Sequence, residues 1–124
     1  MAEKYIKAVQ KVISKGSVYL RLNNSIYRVK KIEIRGSNAK FECKNLRDGE
    51  DYEINFKIEK ELMVDLIRFG LEDKPNSIFI ISEDLNKPVW FETSLTELIE
   101  EAEKQGLRRE LEKELANYEN LEEE

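Results

Sequence analysis

The sequence predicts an α+β fold: a small antiparallel β-meander, curled into an SH3-like or OB-like barrel, with N-terminal, middle and C-terminal helices. Three observations carry this expectation. Over residues 17–58, four runs alternate apolar and polar residues with the period of half-buried strands. Short turn signals separate them: Asn23-Asn24-Ser25, Gly36-Ser37-Asn38 and Asp48-Gly49. Segments of helical period lie before and after, and they supply cover for the single apolar face of the meander.

Taken in order, residues 3–15 place Tyr5, Ile6, Val9, Val12 and Ile13 at helical spacing, with Lys4, Lys7, Lys11 and Lys15 opposite. An edge strand is the alternative, and Gly16 suits a helix stop. Val18, Leu20 and Leu22 form the apolar face of a first strand. The second run, residues 26–35, changes phase at Lys30-Lys31. One extra residue there, a β-bulge, keeps Tyr27 and Val29 on the same side as Ile32 and Ile34. Ala39, Phe41 and Cys43 alternate along a third strand, and Tyr52, Ile54, Phe56 and Ile58 along a fourth.

Leu62, Met63, Leu66, Ile67 and Phe69 share one broad helical face, with Gly70 as the expected cap; this helix should cover the meander. Residues 77–82 read as a buried strand and 88–93 as another, with Trp90 or Phe91 packed inward. Ser94 and Glu97 fit a capping box that starts a helix at Leu95. Gly106 should kink or divide that helix. The domain division expected is 1–93 for the compact β domain and 94–124 for an acidic helical extension.

Residues 36–56 carry Gly36, Ala39-Lys40-Phe41, Lys44-Asn45-Leu46, Gly49 and Phe56. This stretch resembles the KOW-type, SH3-like barrel of translation elongation factor P relatives. The resemblance implies a barrel. The stretch from 36 to 56 is 21 of the chain's 124 residues, about a sixth. The turn that carries a functional lysine in that family reads Arg35-Gly36-Ser37-Asn38 here, so translation-factor activity is not implied.

Composition narrows the function classes. With no histidine, the chain has no His-based triad, general base or metal ligand. One cysteine excludes an internal disulfide framework. No apolar run reaches the roughly 18 residues of a membrane span, and the N-terminus lacks a secretory signal pattern, so a cytoplasmic location without membrane contact is expected. Lys, Glu and Ile are heavily used, a composition common in thermophiles. Glu42-Cys43-Lys44 matches half of a metal-dependent nuclease motif. No Asp precedes it, however, and alternation places its charges on the outer face. Cys43 itself alternates inward, as an inert thiol does. No catalytic residue, cofactor or metal is expected.

The charge is polarised. Residues 1–47 hold twelve Lys/Arg against three Glu, a net +9, and the remainder carries −14 within a total of −5. Arg21, Arg28, Lys30, Lys31, Arg35, Lys40 and Lys44 lie on the first three strands, mostly outward, with Tyr19 on the same face and Lys11 and Lys15 nearby on the first helix. Cations neutralise phosphates, and an exposed tyrosine stacks an unpaired base. The leading expectation is therefore a non-enzymatic nucleic-acid-binding protein, favouring single-stranded DNA or RNA over duplex.

The alternative is a protein-interaction or assembly module acting through the acidic C-terminal helix, of the kind a virus or mobile element could use. Leu107, Leu111, Leu115 and Tyr118 would then form a homodimer or partner seam. That helix could equally pack on its own domain, or compete as an acidic mimic for the basic face. The basic and acidic surfaces could also simply neutralise each other within the fold.

Overall fold

In a computed structural model of the chain, residues 3–85 and 87–122 are described, the last four of these by backbone alone. The elements in chain order are α1 (Glu3–Ser14), β1 (Val18–Leu22), β2 (Ser25–Arg35), β3 (Asn38–Asn45), β4 (Asp51–Lys57), α2 (Lys60–Glu72), β5 (Ser77–Asp84), β6 (Lys87–Ser94), α3 (Leu95–Lys104) and α4 (Arg108–Glu122). The fold is α+β.

The four meander strands form where alternation places them, and β2 shifts register between Val29 and Lys31. Beyond that bulge Ile32 and Ile34 pair with Phe41 and Ala39, so the apolar face is kept along an eleven-residue strand.

The sheet does not close into a barrel. Its order is β4-β3-β2-β1-β5-β6, and β4 and β6 are free edges. Closure would bring β4 back to β1. That edge of β1 is instead taken by β5, which pairs with it in parallel from Val18↔Phe79 to Arg21↔Ser82. The reason lies in β5 itself. Ile78, Phe79, Ile80 and Ile81 are all buried, so this strand needs apolar cover on both faces. An interior position between two helical layers provides that cover.

The two layers make two cores. On one face, Val9, Val12 and Ile13 of α1 and Leu62, Leu66 and Phe69 of α2 pack on Val18, Leu20, Val29, Phe41, Phe79 and Ile81. On the other, Leu98 and Ala102 of α3 and Leu107 and Leu111 of α4 pack on Tyr19, Ile26, Ile78 and Ile80.

Gly70 is not the end of its helix. α2 continues to Glu72, and Asp73, in a left-handed conformation, caps it with an N–H bond to the Phe69 carbonyl. Gly70 is the crossing point with α1: a Cβ there would lie 2.6 Å from the Ala8 carbonyl oxygen. Ser94 caps α3 as expected, its hydroxyl accepting from the Glu97 N–H. Gly106, at φ 72°, separates α3 from α4.

Candidate functional site

The residues expected to form one basic face are divided by the sheet. Lys11 and Lys15 lie on α1, and both reach Asp73 at 2.7 Å beside the α2 cap. Lys11 and then Lys15 hold the Asp73 carboxyl below its usual range. The strand cations Arg21, Arg28, Lys40 and Lys44 belong to the opposite side of the sheet, and the C-terminal helices cover three of them. Arg21 meets Glu101 at 3.7 Å. Lys44 meets Glu114 at 3.1 Å, and Arg28 bonds to the same carboxylate. Further along, Glu33 is shared by Lys31 at 3.0 Å, Arg35 at 3.1 Å and Lys40 at 3.4 Å. Hydrogen bonding from Lys31, with the charge of Lys40, holds the Glu33 carboxyl down to about 2. Lys30 pairs with Asp51 at 3.2 Å. Each of these cations thus has an acidic partner within the chain.

Tyr19 corrects the sequence reading most directly. It shares the parity of Arg28, its cross-strand neighbour, but it is wholly buried under α4 and offers no surface to a base. Burial pushes its phenol well above the ordinary value. Alternation identifies the face of a strand. It does not say whether another layer will cover that face.

The C-terminal stripe is likewise occupied. Leu107 and Leu111 are fully buried in the second core, and Leu115 packs against it. The Tyr118 ring stacks beneath the Arg28 guanidinium, 5.0 Å from its centroid, and fills the space above Gly16. Burial raises the Tyr118 phenol to about 12. These four residues hold the helix on its own sheet.

What remains open is a groove on the other side. Ile6, Val9, Gln10, Ile13 and Ser14 of α1, Met63 of α2, and Lys30, Lys31, Ile32 and Ile34 of β2 enclose about 800 Å³. It exists because β2 outruns the helices after its bulge. The bulge brings Lys30 and Lys31 together to the rim, and Ile32 and Ile34 return to the α1 side beyond it. Ile6 and Ile34 each remain 43% exposed. The lining is six apolar side chains, two cations and the uncharged Gln10 and Ser14, with no acid.

Sequence reading found Lys30, Lys31 and the bulge, but not the groove. A signal was present: the apolar stripe of α1 runs on to Ile6, one turn further than the neighbouring core uses.

Cys43 is buried, and its burial raises the thiol to about 11, as befits an unreactive position. Among the described residues no three His, Cys, Asp or Glu side chains converge as a metal site, and no helix is long and apolar enough to cross a membrane. No protein-family model, curated protein or solved structure matches this chain.

Proposed function

We propose that this chain is a non-enzymatic protein-interaction and assembly module whose working surface is the groove between α1 and the bulged strand β2. The occupant is an acidic, partly apolar protein segment. One observation carries this reading: the groove combines an exposed apolar floor with two lysines and contains no acid of its own. An apolar floor stabilises a partner by removing its side chains from water, and the rim lysines select for negative charge. The groove is half open to solvent, which suits a protein segment better than a small ligand, ordinarily enclosed over most of its surface.

The test is an amide-shift titration of isotopically labelled protein with a synthetic peptide of alternating leucine and glutamate clusters. Saturable shifts centred on Ile32, Ile34 and Ile6 are expected. No shifts there at millimolar peptide, the weakest affinity class worth considering, would remove the reading.

A second reading, phosphate-driven binding of nucleic acid, rests on the outward surface beyond α4. There Lys31, Arg35 and Lys40 share one partly exposed Glu33. Exposed ion pairs are worth about 1 kcal/mol or less, so phosphate could displace the carboxylate. With Tyr19 buried, the basis for preferring single strands is gone. Titration with single-stranded and duplex DNA and with RNA at two salt concentrations separates the readings: nucleic acid should shift Lys40 and spare Ile6, with steep salt dependence.

A further inference from the structure

The connection between β5 and β6 presents Leu85 to solvent at 89% exposure, the highest of the exposed large hydrophobic residues. Its backbone is left-handed, with φ 51°. Glycine and asparagine are the residues that take this conformation without penalty, whereas a leucine there is strained. Singly exposed apolar residues are ordinary and need no explanation. A leucine that is at once fully presented and held in an unfavourable backbone conformation has two terms against it in the isolated chain.

The surroundings of Leu85 complement the groove. Glu83 and Asp84 precede it and are exposed, with Lys87 paired across the hairpin from Asp84. The tip is therefore an apolar knob beside two carboxylates. The groove is an apolar hollow beside two ammonium groups and no acid. The exposure of Leu85 shows that it does not enter the groove of its own chain.

We propose that the occupant of the groove is the β5–β6 tip of a second copy of this chain. Leu85 inserts among Ile6, Ile34 and Met63, and Glu83 and Asp84 face Lys30 and Lys31. This rests on the reading of the groove as a docking surface and names its partner. To make the contact the lysines leave Asp51, which is exposed, and Glu33, which is partly exposed and keeps Arg35 and Lys40, so the exchange costs little. Each copy offers both knob and groove, so association either closes as a dimer that exchanges the two contacts about a two-fold axis or continues head to tail into a ring or a filament. A single hairpin tip buries little area, so association should be weak and strongly dependent on concentration.

The experiment is sedimentation velocity over a concentration series with three proteins and one mixture. The unaltered chain should sediment faster as concentration rises. Leu85→Asn removes the knob but suits the left-handed backbone, so it should melt no lower than the parent and remain monomeric. Ile34→Glu spoils the groove at an exposed position and should also remain monomeric.

An equal mixture of the two variants should form a dimer and stop there. The Ile34→Glu chain brings an intact knob and the Leu85→Asn chain an intact groove, and neither has a second usable surface. An unaltered chain that stays monomeric throughout would overturn the proposal, as would association of Leu85→Asn equal to the parent, or a mixture that stays monomeric. If the proposal fails while the leucine–glutamate peptide still shifts Ile32 and Ile34, the groove remains a docking surface for another protein. If neither binds, both readings fall.

Discussion

Lys44 of β3 and Glu114 of α4 form an ion pair at 3.1 Å, seventy residues apart in sequence, and Arg28 of β2 bonds to the same carboxylate. The Glu114 side chain is only 4% exposed. A carboxylate buried to that degree needs compensation, and two cations from the sheet provide it. This contact joins the basic first part of the chain to the acidic last part. It is also where the most suggestive sequence feature, a basic sheet face, is satisfied from within.

A double-mutant cycle should separate this pair from those at the surface. Coupling between Glu114 and Arg28 should be about 1–3 kcal/mol, and coupling between Lys31 and Glu33 about 1 kcal/mol or less. Urea unfolding of Glu114→Gln, Arg28→Met and the double variant supplies the first value. Equal couplings at the two sites would show that α4 does not shield its ion pair from water.

Leu111→Ala should cost about 2–5 kcal/mol, because the side chain is wholly buried between α4 and the sheet. Removal of residues 107–124 should accordingly break cooperative unfolding. A truncated chain as stable as the parent would mean that α4 is a detachable arm after all. Thermal melts of both variants decide it.

Gly70→Ala should destabilise by about 1–3 kcal/mol, although alanine is the better helix former. The added Cβ would sit 2.6 Å from the Ala8 carbonyl oxygen and 2.7 Å from its carbon, so α1 and α2 must separate. Neither atom belongs to a flexible side chain. An unchanged or raised melting temperature would show that the helix crossing adjusts without loss.

Cys43 gives an alkaline signature. Its thiol ionises at about 11 in the fold, against 9.0 when unperturbed. A raised folded pKa makes the folded chain hold its proton longer. Its stabilising effect is therefore complete below pH 9 and is lost as pH rises toward about 11, by up to about 1.4 kcal/mol per pH unit. The buried phenols Tyr19 and Tyr118 act in the same sense from their unperturbed 10.0 upward. Stability measured on either side of pH 9 should fall in the parent and stay level in Cys43→Ala until the tyrosines begin to titrate. A thiol reagent should label Cys43 no faster than the chain opens.

The sequence by itself determined the local order: where α1 and the meander strands lie, the bulge at Lys30-Lys31, the Ser94 cap and the break at Gly106. Each depends on neighbours within a few residues, through side-chain parity, a hydroxyl reaching a nearby N–H, or a glycine taking positive φ. Tertiary structure alone decided that β5 would occupy the free edge of β1, that α4 would cover Tyr19, Arg28 and Lys44, and that a groove would open beside Ile6 and Ile34. These outcomes depend on which layer competes best for an apolar face. Alternation marks such a face without naming what will lie on it. The continuous run from Ile78 to Ile81 was the one local hint that both faces of the sheet would be claimed.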